Sequence, residues 1–372
     1  MILQNKRKSD NKKQKILFLI GNYGVGGKER QLTELIKSLP KKKYDIYLFA
    51  KSTDSFLFQE IKIILNDYIS LNKNSIAIKD IFSLKRFLDL IKPDIVYSFA
   101  KTTSNLAFTI NAFKLNRFKL INSSIRGAAV DFNFHLKLER FLYNYYDIVV
   151  SNSKAGLISY KQFGKKGRHV LYNGFNQNRI PIKSKSYLRQ LLSIDDKFTV
   201  LMIGSMTDSK DQSTLIKAAK ILAHQNLDIQ FILLGDGPKL KKYLSIISSL
   251  GLNKFITLTG QVNNSEEYIK ASDLSVLMSS SSEGFPNAVL ESLGCGVPVI
   301  ANACGGTREL LINDENGYFI NIGDHQLLAE KILFLYTNHN VLNSLGKNGA
   351  LMVKEQFSMK NTITSFKRII NN

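Results

Sequence analysis

Short apolar runs alternate with helix-period segments along almost the whole chain, in two consecutive series. Strands separated by helices cannot pair through a tight turn. Each must cross over and return parallel, so each series points to a doubly wound α/β sheet. The first series places strands at 15–20, 44–50, 95–99, 118–123, 148–151 and 169–172, with helices at 28–39, 81–91, 104–113 and 135–145. Leu32, Leu35, Ile36 and Leu39 share one helix face. Pro93 closes the helix before it, and Ser153 is set to cap another. The second series places strands at 198–203, 229–234, 255–258, 274–278 and 297–301. Its helices fall at 211–224, 239–249, from 266, 286–293, 327–336 and in one long segment, 342–370. Residues 176–195 carry no strand pattern and read as a linker.

A chain of 372 residues has room for two such domains. Its two cysteines, Cys295 and Cys304, exclude a disulfide scaffold and a four-cysteine zinc site, and read as core thiols. No stretch approaches the roughly 18 apolar residues that span a bilayer. The run Ile16–Ile20 is too short for a signal peptide, so a cytoplasmic protein is expected. Charge is uneven. Residues 1–180 hold 32 basic and 13 acidic side chains, and residues 181–372 hold 19 and 17. A basic first half points to an anionic neighbour. Lys6-Arg7-Lys8 and Lys12, Lys13 and Lys15 read as a disordered basic tail, and Lys41-Lys42-Lys43 as a turn. No nucleic-acid-binding module is visible. Nucleic acid, anionic lipid and an acidic substrate are the candidates, and without such a module an anionic membrane surface is expected rather than nucleic acid.

The chemistry-bearing motifs sit at strand ends. Gly24-Val25-Gly26-Gly27 follows the first strand and opens a helix, which lets a backbone approach a phosphate or sugar. Its spacing is neither the dinucleotide fingerprint nor a P-loop. In the second half, a strand runs into Ser279-Ser280-Ser281-Ser282-Glu283-Gly284-Phe285-Pro286-Asn287-Ala288, with Glu291 further along the helix that follows. Pro286 suits a first helical turn, and the free amides there suit a diphosphate. Glu283 and Glu291 could accept bonds from sugar or ribose hydroxyls. The plain alternatives are a helix cap and a surface charge. No Asp-x-Asp occurs, so no carboxylate pair presents itself for a metal–diphosphate bridge.

This stretch, continuing through Gly296-Val297-Pro298 and Gly305-Gly306-Thr307-Arg308-Glu309-Leu310, closely resembles glycosyltransferase family 4. Its Glu-x7-Glu signature matches Glu283 and Glu291. Further matches follow the family's order: Gly26-Gly27-Lys28-Glu29-Arg30, Val170–Phe175, Gly204 with Lys210-Asp211, Gly235-Asp236-Gly237-Pro238 and Thr259-Gly260. The resemblance implies the GT-B fold, in which two Rossmann-like domains face an interdomain cleft. After the basic tail, taken as 1–14, it implies an acceptor-binding domain at 15–178 and a linker at 179–195. A donor-nucleotide domain at 196–350 would follow, with a helix at 351–372 packing back on the first domain.

The resemblance also implies retaining transfer from a nucleotide sugar, here expected to be a UDP-sugar, without cofactor or metal. Glu283, Lys210 and Arg126 are the expected catalytic residues. Gly26, Gly27, Ser205, Gly284, Phe285, Pro286, Asn287, Ala288 and Glu291 are the expected donor-binding ones. The expected acceptor is a glycolipid or polyprenyl-diphosphate-linked glycan of the cell surface, reached by an enzyme peripheral to the inner membrane face. Two positions depart from the family. Ser205 stands where many members have Arg. Ser123-Ser124-Ile125-Arg126-Gly127 stands where many have a sugar-facing His, with Arg126 as the expected substitute and His135 as an ordinary helix residue. A nucleotide-sugar 2-epimerase and a non-catalytic anionic-surface-binding protein are the alternative readings.

Overall fold

The computed structural model describes residues 12–71, 80–112, 118–128, 134–280 and 283–372, with backbone alone at 134–135. The side chain of His135, residues 6–8 of the basic tail, and Ser281 and Ser282 therefore lie outside the described residues. The first sheet has seven parallel strands: β1 (Gln14–Asn22), β2 (Tyr44–Ser52), β3 (Asp67–Ser70), β4 (Ile95–Ser98), β5 (Lys119–Ile125), β6 (Ile148–Ser151) and β7 (Arg168–Val170). Their order is β3-β2-β1-β4-β5-β6-β7. Helices α1 (Gly27–Ser38), α2 (Phe56–Lys62), α3 (Asp80–Ile91), α4 (Lys101–Ala112), α5 (Phe134–Leu142) and α6 (Lys154–Ser159) lie between them. Ile16 through Ile20 of β1 are all buried. A parallel strand between two helical layers is apolar on both faces, hence the unbroken run. Ser153 caps α6 as expected, accepting from Gly156 N–H at 3.0 Å. Lys15 belongs to β1 rather than to the tail, and its Nζ donates to Ile91 O at 2.9 Å.

The segment expected as a linker is not a free tether. It holds a 3-10 turn, Gln177–Arg179, and helix α7 (Lys185–Leu191). Leu188 is buried, and Arg189 Nη2 bonds Asp273 Oδ2 at 2.7 Å. The second sheet has strands β8 (Phe198–Ile203), β9 (Ile229–Leu234), β10 (Ile256–Gly260), β11 (Leu274–Leu277), β12 (Val299–Asn302) and β13 (Gly317–Ile320), in the order β10-β9-β8-β11-β12-β13. Its helices are α8 (Gln212–Ala223), α9 (Leu240–Ser249), α10 (Ser265–Ala271), α11 (Asn287–Gly294), α12 (His325–Thr337) and α13 (His339–Gln356).

The single helix expected over 342–370 is two, α13 and α14 (Met359–Asn371). Ser358 caps α14, accepting from Asn361 N–H at 3.4 Å. At this break the chain bonds Phe175, and α14 then packs on the first domain. Ile363, Phe366, Ile369 and Ile370 join its core. The Phe366 ring lies 5.3 Å from that of Tyr97.

Strand order reverses once in each sheet, between β1 and β4 and between β8 and β11. Open α/β sheets bind ligands at the carboxyl ends of strands beside such a reversal. The two reversals open onto one cleft.

Candidate active site

A cavity of about 460 Å³ lies between the two sheets. Eleven of the sequence-predicted residues line it: Gly27, Arg126, Ser205, Lys210, Glu283, Gly284, Phe285, Pro286, Asn287, Ala288 and Glu291. Gly26 does not; it is the N-cap residue of α1.

Lys210 leaves β8's loop just before Asp211, which caps α8 by accepting from Thr214 N–H at 3.2 Å. A single bridge to Ser279 ties it to the end of β11. Its Nζ pairs with Glu283 Oε1, which also accepts from Ser279 Oγ. Lysine and carboxylate are thus held together on one wall.

Pro286 departs from the expected place. It precedes α11 as the N-cap, with ψ 118°, and the helix opens at Asn287. Leu290 N–H bonds back to Pro286 O at 3.1 Å, so the amides before it have no partner within the helix.

The Asn287 side chain is committed across the cleft. Its Nδ2 donates to Gly27 O at 2.8 Å, and its Oδ1 accepts from Asn173 at 2.9 Å and Gln31 at 3.1 Å. A Cβ on Gly27, which lines the cavity, would lie 2.3 Å from Asn287 Nδ2, so the glycine also leaves room for this contact between the domains.

Glu291 is 5% exposed, so it is not a surface charge. Its Oε1 lies 3.1 Å from Arg179 Nη2 and 3.9 Å from Arg30 Nε. The same two arginines pair with Glu266. The quartet joins α1, the crossover segment, α10 and α11. Sequence reasoning missed three of its members. Arg30 stood in the glycine-loop motif with no role, and nothing in sequence marks Arg179 or Glu266, because the four positions meet only through the interdomain fold.

Arg126 directly follows β5 and faces the cavity. Its Nη1 bonds Asn173 Oδ1 and its Nε bonds Ser123 O, both at 3.3 Å, and its guanidinium lies 4.6 Å from the Phe99 ring centroid. Burial lowers its pKa from the ordinary value, opposed by Tyr97 and Glu29. Gly284 sits against it: a Cβ on Gly284 would lie 2.1 Å from Arg126 O. Ser205 is exposed and brings no charge to its wall. Arg126 and Lys28, the latter 3.2 Å from Glu29, are cations on the first-domain side. Burial pushes the Cys295 thiol up to about 12 and raises that of Cys304, so neither is a ready thiolate near neutrality. Among the described residues no group of three His, Cys, Asp or Glu side chains is placed to hold a metal ion. No helix among them is long and apolar enough to cross a membrane.

Comparison with known proteins agrees with this geometry. The family described as Glycosyltransferase Family 4 matches residues 25–179, and that described as Glycosyl transferases group 1 matches residues 184–352. The UDP-Gal:alpha-D-GlcNAc-diphosphoundecaprenol alpha-1,3-galactosyltransferase of Escherichia coli is 25% identical over 97% of this chain and 97% of its own. The N-acetylgalactosamine-N,N'-diacetylbacillosaminyl-diphospho-undecaprenol 4-alpha-N-acetylgalactosaminyltransferase of Campylobacter jejuni is 26% identical over 85% of this chain and 88% of its own. Among solved structures, Anabaena HepE in complex with UDP-glucose shares the fold at a TM-score of 0.82 and 22% identity, over 96% of this chain and 99% of that one. With both halves matched and two Rossmann-like sheets closed on one cleft, the chain belongs to glycosyltransferase family 4, as a glycosyltransferase of GT-B architecture.

Proposed function

We propose that the chain moves a hexose or N-acetylhexosamine from a UDP-sugar to a lipid-diphosphate-linked acceptor in surface-glycan synthesis, with retention at the anomeric carbon and without a metal. The observation that carries this reading is the convergence of Glu283, Lys210, Glu291 and the start of α11 on one cavity. Lys210 and the first α11 amides face the place where a departing diphosphate gathers charge. Donors fixed there in advance lower the barrier, because they need not reorganise as the charge develops. Glu283 accepts from donor-sugar hydroxyls once Lys210 turns to the diphosphate. Glu291 has Oε1 held by the arginines and offers Oε2 to the ribose hydroxyls. The acceptor hydroxyl attacks the anomeric carbon on the face that UDP leaves. A new C–O bond forms, the bond to the diphosphate oxygen breaks, and that oxygen takes the hydroxyl proton. Arg126 adds positive charge from the first domain.

The test is thermal shift against UDP, GDP, ADP and their common sugars. A ligand that binds only the folded state at 100 times its Kd adds about 2.7 kcal/mol of stability. A shift with UDP that Glu291→Ala removes supports a uridine donor on the second domain. A shift with GDP or ADP alone overturns the uridine assignment.

The acceptors named for the E. coli and C. jejuni relatives are carried on diphosphoundecaprenol, which supports a membrane-borne acceptor here. Lys41–Lys43 precede β2 and Lys165-Lys166 precede β7, at the amino ends of the strands, opposite the cleft. The side of the first domain that carries α5 and α6 suits an anionic lipid surface better. It exposes Phe141, Tyr145, Ile158 and Phe163 beside Lys154 and Lys161. Replacing Phe141 and Phe163 by Ser should abolish sedimentation with phosphatidylglycerol vesicles at low salt. Retained sedimentation rules this surface out.

A further inference from the structure

The two domains also meet outside the cavity, at Glu309. This residue ends the 3-10 turn Gly305–Glu309 that follows β12. Its carboxylate reaches the first domain and accepts three bonds there. Lys154 N–H donates to Oε2, Ala155 N–H to Oε1 and the Tyr172 hydroxyl to Oε2, each at 2.9 Å. Bonds to an ionised acceptor are among the stronger ones in a protein. Tyr172 also lays its ring against Phe285, with centroids 4.9 Å apart. Burial, then the bond to Glu309, raises its pKa, so the hydroxyl stays a donor throughout the neutral range.

The turn that carries Glu309 is stacked on the Glu283-Gly284 loop, backbone to backbone. Gly306 N–H donates to Glu283 O at 3.1 Å. A Cβ on Gly306 would lie 1.9 Å from Gly284 O and 2.8 Å from Ser153 Cβ. Gly284 in turn touches Arg126 O of the first domain. The contacts form a closed path from α6 and Tyr172, through Glu309 and the double glycine, to Glu283-Gly284, and back to Arg126. Its side-chain links are Glu309 and Tyr172, and the others are backbone contacts. The chemistry proposed above has no use for the Glu309 carboxylate.

We propose that Glu309 is a positioning residue: by gripping α6 and Tyr172 it sets the register in which the Glu283-Gly284 loop meets Arg126, and so the spacing between donor and acceptor. The register matters for turnover only if the cleft transfers a sugar, so the kinetic arm of the test rests on the proposed function and the scattering arm does not.

The experiment compares the full chain with its Glu309→Gln and Tyr172→Phe variants. Glutamine keeps the length but loses the charge and sets an NH₂ group either against the Ala155 N–H or against the Lys154 N–H and the Tyr172 hydroxyl. Phenylalanine keeps the ring on Phe285 and removes one donor, so it remains informative if Glu309→Gln folds poorly. Small-angle X-ray scattering without nucleotide should show a larger radius of gyration for both variants at an unchanged Tm. With the UDP-sugar found by thermal shift, kcat should fall about tenfold in Glu309→Gln, since small misplacements across a reacting pair are costly. UDP affinity should change less than about threefold, because the proposed nucleotide contacts lie on the second domain. The double variant should be no worse than Glu309→Gln alone, as expected when two groups serve one contact. Unchanged scattering overturns the proposal. So does a loss of kcat that only tracks a loss of folded protein. Scattering that changes while every UDP-sugar proves inert upholds the register and overturns the donor assignment instead.

Discussion

Glu291 gains its usefulness from its neighbours. A carboxylate at 5% exposure would be costly alone, and Arg179 and Arg30 compensate it. Removing one member of a buried pair leaves the other uncompensated, at about 3–5 kcal/mol. Glu291→Ala should therefore lower Tm as well as abolish the UDP shift. Glu291→Gln, which still accepts a bond from Arg179, should lower Tm less while still weakening UDP; calorimetric titration of both variants checks this. Gly284 makes a sharper case. A methyl group 2.1 Å from Arg126 O cannot be accommodated without separating the domains. Gly284→Ala should lose transfer about 100-fold while keeping a UDP shift, which steady-state kinetics beside thermal shift will show. Glu283, Lys210 and Glu291 were legible because they lie in local motifs. Arg30, Arg179 and Glu266 were not, since no local pattern records that positions 30, 179 and 266 converge. Asn287 was legible as a position, but the work of its side chain, which bonds Gly27 and Gln31 across the cleft, was not.

Among the elements, α14 carries the most weight for its size. It places Phe366 between Phe18 and Tyr97, fully buried. Phe366→Ala should cost about 3–5 kcal/mol, measured by urea unfolding of the full chain, and the loss should fall on the first domain. The central strands could be read from sequence because burial on both faces makes them continuous apolar runs. β3 could not: it is an edge strand with no fully buried residue. β13 also escaped notice, at four residues following a turn. The break between α13 and α14 was overlooked because both flanks keep helical periodicity. Its sign was Ser358, placed three residues before the Asn361 amide that it caps.

For the whole molecule, burial decides behaviour in base. Tyr23, Tyr143, Tyr146 and Tyr172 all have raised pKa values, with burial the largest cause, and Tyr146 is pushed up to about 12. A group whose folded pKa exceeds its unfolded value contributes stability that is full below the unfolded pKa and is lost above it. These phenols titrate near 10.0 when unfolded. Tm should therefore be insensitive to them through the neutral range and fall steeply as pH rises past about 10; Tm against pH by circular dichroism tests this.

The return of α14 also bears on synthesis. The first sheet is complete in sequence by Val170, yet the part of its apolar face that α14 covers, around Phe18 and Tyr97, stays open until residues 359–371 have been made. Beyond the last few residues of the first domain, what lies between those points belongs to the crossover and the second domain. On the ribosome, the half translated first must therefore finish second. For about half the length of the chain it waits with the future seat of Phe366 open to water, a target for chaperones, while the later half closes around its own core.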